Sequence, residues 1–238
     1  MASSKPSADL RLDRFIATVT DFSRSEAKRL IKAGEIEVEG RVASDAGQLI
    51  SPDAEVLLRG SPLRAPKPRY FMLHKPQGYI CAARDRRHLT VLDLLDEDNP
   101  ERLHVAGRLD IDTTGLVLLT DDGQWSHQIT SPNRECWKQY WFQCAEPLDE
   151  NVIRQFERGV FLKEEKTRTL PAKLEILSDF EGRLQICEGR YHQVKRMLGA
   201  VGNAVEVLHR EAIGDIFLDA DLAEGEYRPL TEDEIASV

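Results

Sequence analysis

The chain has 238 residues, 41% of them hydrophobic and 31% charged, a balance that fits a folded, soluble protein of one large domain, or a small one plus a medium one. No apolar stretch approaches the roughly 20 residues of a membrane-spanning helix, and the opening MASSKPSADL lacks the apolar core of a secretory signal, so a cytoplasmic protein without a membrane partner is expected. The four cysteines (Cys81, Cys136, Cys144, Cys187) form no CxxC pair, which argues against a zinc site or a redox motif and leaves them as small apolar residues.

Net charge is −9, from 32 basic and 41 acidic residues. A uniformly acidic surface would repel phosphates, but the charge is not uniform. Acids cluster over 93–101 and from Asp219 to Glu234. Bases gather at Arg64, Lys67 and Arg69, at Arg84, Arg86 and Arg87, and at Arg190, His192, Lys195 and Arg196, within a run from Gly189 to Val205 that holds no carboxylate. An acidic chain can therefore present a basic face.

In chain order, residues 1–8 read as a disordered tail and residues 9–59 as a compact αα-β unit. Leu12, Phe15, Ile16 and Val19 share one face of a helix over 10–19. Ser23-Arg24-Ser25-Glu26 is a capping box that opens a second helix. On that helix Ala27, Leu30 and Ile31 form an apolar face, while Arg24, Lys28 and Lys32, with Arg29 beside them, form a basic stripe. Glu35 to Glu39 alternates as a strand, and Gly40 turns it into another. Residues 60–68, GSPLRAPKP, carry three prolines and no acid, the composition of an extended linker.

From Arg69 to the C-terminus, strands are expected over 70–73, 115–120, 140–145, 173–177 and 184–187, and helices over 149–158 and 191–200. Strands and helices do not alternate regularly. An α+β domain with a mostly antiparallel mixed sheet flanked by helices is therefore expected over 69–238. Thr231-Glu232-Asp233-Glu234 caps a short last helix.

The segment richest in chemistry is Gly107-Arg108-Leu109-Asp110-Ile111-Asp112-Thr113-Thr114-Gly115, a polar loop feeding the apolar run Leu116–Leu119. Its spacing alone also allows a turn whose Asp and Thr groups cap their own backbone. Asp110 to Thr114 superficially matches the DxDxT nucleophile of magnesium-dependent phosphatases. That motif normally ends a parallel apolar strand, which His104 to Arg108 do not make, and Asp121-Asp122 lies too close to serve as the downstream metal pair.

GRLDIDTTG resembles the signature of the pseudouridine synthase family. Lys138-Gln139-Tyr140 resembles that family's Lys-x-Tyr strand. Gly189 to Met197 resembles its third motif, with Lys195 where several branches carry Arg, which points to the small-subunit branch. Tyr70 to Tyr79 resembles the opening strand of the catalytic domain, although His74 replaces the usual Asn. Residues 10–59 resemble an S4-type RNA-binding domain, so the likeness spans about residues 10–236.

The resemblance implies a pseudouridine synthase fold and conversion of a uridine in small-subunit 16S ribosomal RNA, at uridine 516, either in free RNA or in an assembling particle. It implies Asp110 as the catalytic carboxylate, Lys195 as its cation, and Tyr140 stacked on uracil. Arg108 is placed to hold the displaced strand, and Asp112 is read as a loop-stabilising residue. Further RNA contacts are expected from Arg24, Lys28, Arg29, Lys32, Arg190, His192 and Arg196. The reaction moves no phosphate and oxidises nothing, so no cofactor and no metal are expected; the protein is expected to be a monomer. A non-catalytic RNA-binding assembly factor is the remaining alternative, and it would not need Asp110, Tyr140 and Lys195 together.

Overall fold

The computed structural model describes residues 10–51, 53–64, 67–131 and 134–238. The expected tail over 1–8 lies outside the described residues, as do 65 and 66 of the expected linker. The chain divides after Lys67 into two compact units.

In the first unit, β1 (Leu10–Arg11) is followed by α1 (Leu12–Val19), α2 (Arg24–Lys32), β2 (Ile36–Val38), β3 (Arg41–Val42), β4 (Leu49–Ile50), β5 (Val56–Leu58) and β6 (Ser61–Leu63). The first helix begins at Leu12 rather than Leu10 because Leu10 and Arg11 pair with Ile50 and Leu49. The Ser23 capping box forms: Ser23 N–H donates to Glu26 Oε2 at 2.8 Å, and Glu26 N–H donates to Ser23 Oγ at 3.3 Å. Leu12, Ile16, Ala27, Ile31, Ile36 and Val56 make the core under the helices.

The proline-rich segment is not simply a linker. Ser61–Leu63 adds an edge strand to the antiparallel sheet β3-β2-β5-β6. An edge strand tolerates Pro62 because only one of its sides pairs, so a missing N–H can face solvent. The turn into it is Arg59-Gly60, both residues left-handed at φ 51° and 77°, as a two-residue hairpin loop requires.

Asp13 on α1 is fully buried, yet it carries the unit's main charge cluster. Arg11 Nε donates to its Oδ1 at 3.2 Å and Arg24 Nη2 to its Oδ2 at 3.0 Å, with Lys28 Nζ 3.8 Å away. Two members of the expected RNA-binding stripe, Arg24 and Lys28, therefore lie against an internal carboxylate. Arg29 and Lys32 are exposed and have no ion pair among the described residues.

In the second unit, β7 (Tyr70–Lys75), β8 (His104–Ala106) and β9 (Thr114–Thr120) precede α3 (Gly123–Thr130), β10 (Lys138–Cys144), α4 (Glu150–Glu157), β11 (Lys173–Ile176) and β12 (Glu181–Ile186). After these come α5 (Gln193–Ala200), β13 (Val205–Ile213), β14 (Ile216–Phe217), β15 (Tyr227–Pro229) and α6 (Glu232–Ala236). The sheet runs β11-β12-β10-β13-β9-β7-β15, with β14 on β13 and β8 on β9. Every pairing is antiparallel except β9 with β13, which meet only at Thr114–His209 and Gly115–Arg210. Farther along β9, Leu118–Thr120 pair with β8 instead.

Leu116, Val117, Leu118 and Leu119 are fully buried, because both faces of the sheet are covered here. Leu116 and Leu118 pack with Trp125 and Ile129 of α3. Val117 and Leu119 belong to the larger core with Phe156 of α4 and with Val194, Met197 and Leu198 of α5. Each such side chain contributes about 2 kcal/mol through burial, which makes β9 a rigid base for the loop that enters it. Gly115 is required at the crossing. Its φ is +106°, and a Cβ there would lie 2.3 Å from the Arg210 carbonyl oxygen.

Hydrogen bonds from Arg11 and then Arg24 hold the Asp13 carboxyl at about 2, below its ordinary 3.8, against the opposing effect of burial. A depressed carboxyl stabilises the fold above its unfolded pKa of about 4 and loses that contribution as pH falls toward the folded value. Asp13→Asn should therefore melt below the wild type at neutral pH, with the gap closing between about pH 4 and pH 2. Circular dichroism melts of both proteins across that range check this, and a pH-independent gap would contradict the ion-pair account.

Candidate active site

The loop from Gly107 to Thr113 joins β8 to β9 at the point where the partner of β9 changes. Backbone carbonyls in so tight a loop cannot all find backbone donors, and buried ones left bare are costly. Two buried cations supply the donors. Arg210, on β13, gives Nη2 to Gly107 O at 2.6 Å, Nη1 to Arg108 O at 3.3 Å and Nε to Leu116 O at 2.8 Å. Lys75, at the end of β7, gives Nζ to Thr113 O at 2.7 Å and to Ile111 O at 3.4 Å. Gly78 N–H also donates to Ile111 O, and Thr113 N–H closes a turn onto Asp110 O. Leu109 is buried in the main core, which anchors the loop from below. Asp110 is thus held by its neighbours on both sides.

The Asp110 carboxylate meets two basic groups from the start of α5: Lys195 Nζ at 3.3 Å from Oδ2 and His192 Nε2 at 3.3 Å from Oδ1. The helix expected from Tyr191 starts at Gln193, because His192 is left-handed at φ 46°. Lys195 also donates to Asp112 Oδ1 at 2.5 Å, closer than its contact with Asp110. Asp112, expected to stabilise its own loop, instead shares the lysine, and the hydrogen bond from Lys195 lowers its carboxyl pKa.

A cavity of about 830 Å³ opens here, lined by Asp110, Asp112, Lys138, Tyr140, Lys195 and Arg210 among others. A recess of about 100 Å³ lies against Asp110, Tyr140, Ile186, Lys195 and Leu208. Tyr140 is buried on β10 directly opposite Arg210, whose Nη1 reaches its hydroxyl at 3.4 Å. Lys138 is buried too, giving Nζ to Cys136 O at 2.9 Å. Burial pushes the pKa of both Lys75 and Lys138 down. Among the described residues, none of Lys75, Lys138 and Arg210 has a carboxylate within ion-pair distance.

The other expected site residues divide. The side chain of Arg108 is exposed at the cavity and has no ion pair among the described residues. Arg190, which lines the cavity, and Arg196, both expected to contact RNA, carry ion pairs within the unit. Arg190 pairs with Glu165 at 2.5 Å and Glu188 at 3.0 Å, and Arg196 with Glu165 at 2.7 Å. Glu165 and Glu188 lie outside the basic motif, so the carboxylate-free run could not reveal them. Arg210 and Lys75 were missed by sequence reasoning: both fall outside the expected strands, where each reads as one more surface charge.

The arrangement offers the Asp110 carboxylate against a lysine that it shares with Asp112 and against an imidazole, beside an aromatic ring in a partly apolar recess. It suits stabilising positive charge that develops on a bound molecule, or direct attack on it. The strand before Asp110 is a three-residue antiparallel one, unlike the parallel strand of a DxDxT phosphatase.

The family model described as RNA pseudouridylate synthase matches residues 69–200, and the S4 domain model matches residues 10–56. The chain is 55% identical over 230 residues to the ribosomal small subunit pseudouridine synthase A of Escherichia coli strain K12, covering 96% of this chain and 100% of that protein. It is 48% identical over 229 residues to the protein of the same name from Vibrio cholerae, covering 96% and 99%. A solved structure described as a crystal structure of pseudouridylate synthase aligns with a TM-score of 0.71 at 48% identity, covering 96% of this chain and 99% of that one.

If Arg210 holds the loop, Arg210→Met leaves three carbonyls without their donor, at about 1–3 kcal/mol each. Urea unfolding should show a loss of about 3 kcal/mol or more. Arg210→Lys should recover only part of it, since an ammonium cannot reproduce the fork. Full recovery by lysine would mean that charge alone is needed.

Proposed function

Because the chain belongs to the RNA pseudouridylate synthase family and is a pseudouridine synthase, we propose that it isomerises a uridine of small-subunit ribosomal RNA with Asp110 as its working carboxylate. The substrate class is the one its relatives are named for. The observation that carries the Asp110 assignment is the contact of this carboxylate with Lys195 and His192, beside the recess bounded by Tyr140.

The reaction breaks the bond from ribose C1′ to uracil N1, turns the base, and joins C1′ to C5, after which C5 loses its proton and N1 gains one. Departure of the base needs a group that attacks the sugar or base, or supports positive charge on the ribose, and an ionised carboxylate does either. Lys195 and His192 lie against this carboxylate in a pocket lined partly by apolar groups. A second free carboxylate would risk activating water and hydrolysing the sugar–base bond. Lys195 engages Asp112 and so reduces that risk. The recess gives the uracil ring a face of Tyr140 and contact with Ile186 and Leu208. A base within folded RNA must leave its stack to reach this recess, and exposed Arg108 is placed to fill the gap or hold the displaced strand. In the first unit, Arg29 and Lys32, exposed and without an ion pair among the described residues, are placed to meet phosphates. Arg24 and Lys28 share their charge with Asp13.

Asp110→Asn should reduce pseudouridine formation to background while RNA binding stays within about twofold. Asp112→Asn should retain most of the rate. Single-turnover assays at saturating RNA check both, and equal losses would reverse the assignment. Mapping pseudouridine in ribosomal RNA from cells with and without this protein tests the substrate, with uridine 516 the expected difference. Assays on free RNA and on assembling particles then separate the two substrate forms.

A further inference from the structure

We infer that Tyr191 is a stacking platform for a nucleobase that flanks the target uridine, an inference that rests on the pseudouridine synthase reading above. Tyr191 is 75% exposed, more than any other large hydrophobic residue among the described ones. One exposed aromatic residue is unremarkable on a protein surface; the way this one is held is not. Its ring lies flat on His192, with centroids 3.8 Å apart and planes 21° apart. The same imidazole reaches Asp110 at 3.3 Å. The exposed ring therefore stands one imidazole away from the working carboxylate, and both rings line the cavity.

The backbone beneath the ring is fixed from several sides. Arg196 Nη1 donates to the Tyr191 carbonyl at 3.0 Å. The preceding Arg190 is bound to Glu165, Glu188 and the carbonyls of Thr167 and Arg168, and its N–H donates to Gln193 Oε1 at 2.8 Å. The following His192 is left-handed, a conformation that persists in a non-glycine residue only where its surroundings impose it. This frame presents a ring with one face on His192 and the rest in solvent, so little ordering remains to be done when a flat ligand stacks on it. The chemistry such a ring recognises beside a cationic pocket is a nucleobase, purine or pyrimidine, since every base has a π-face. The target uracil occupies the Tyr140 recess, so the platform takes a neighbour. Flipping one base deprives that neighbour of its stacking partner, and Tyr191 supplies a replacement.

The test uses the full-length protein and the ribosomal RNA fragment in which the wild type forms pseudouridine, with the fluorescent base aminopurine placed in turn on either side of the modified uridine. Tyr191→Ala should weaken binding by about tenfold to a hundredfold, the range seen when base–aromatic stacking is removed, while the single-turnover rate at saturating RNA falls by less than about threefold. Tyr191→Phe and Tyr191→Trp should keep wild-type affinity. Aminopurine at one flanking position should be quenched on binding to the wild type and to these two variants, and not to Tyr191→Ala. Unchanged affinity in Tyr191→Ala overturns the platform. So does an equal loss in Tyr191→Phe, which would assign the effect to the hydroxyl, and so does quenching that survives in Tyr191→Ala. If instead the wild type binds every fragment and modifies none, the proposed reaction fails, and that outcome is distinguishable from failure of the platform alone.

Discussion

The second unit depends on one short crossing. The strands β9 and β13 run side by side for only two residue pairs, at Thr114 and Gly115. The approach is so close that no side chain fits at Gly115. From that crossing the Arg210 side chain takes three carbonyls, two of them in the loop that carries Asp110. Lys75 takes two more from the other side. The backbone that carries Asp110 is thus fixed by hydrogen bonds from Arg210 and Lys75, and its carboxylate is met by Lys195 and His192. Functional groups held this way keep their geometry when the surface around them moves.

The same cations answer the electrostatic question raised by a net charge of −9. Lys138 and Arg210 are buried in the cavity wall, Lys75 is buried against the loop that carries Asp110, and all three are bonded to carbonyls, which screen them less than carboxylates would. Acidic groups elsewhere are partly consumed in pairs of their own, such as Asp219 and Glu234 on Arg228. Net charge describes long-range solubility and steering, whereas the field within a cleft is set by the few charges that line it. An acidic protein can therefore hold an anion-receptive pocket without a broadly basic surface.

Much of the fold was legible because local signals agreed with the final structure. The Ser23 and Thr231 capping boxes formed, and the unbroken apolar run Leu116–Leu119 became the strand buried on both faces. The family motifs are a sequence property, so Asp110, Tyr140 and Lys195 were found as candidates, and the structure brings them to one recess. What was missed had mixed or misleading composition. The strand β13 alternates a buried face, Leu208, Arg210 and Ala212, with a face carrying His209 and Glu211, so its apolar signal is diluted. The strand β6 was hidden by prolines that an edge position tolerates. Ion pairing was illegible in principle: nothing local to Arg190 or Arg196 announces Glu165, and nothing local to Arg24 announces the burial of Asp13.

That last point bears on how basic residues near an RNA site should be counted. In the third motif the four bases Arg190, His192, Lys195 and Arg196 look equivalent in sequence. The structure gives two of them to a frame on Glu165 and two to the carboxylates of the loop. A guanidinium already bound to a buried or half-buried carboxylate adds little to phosphate attraction, because its charge is largely compensated and its donors are in use. Its value lies in stiffness. In the proposed site, rigid support under His192, Tyr191 and Lys195 would lower the ordering cost of RNA binding, so Arg190 and Arg196 would add to affinity through the frame they hold as well as through any contact of their own.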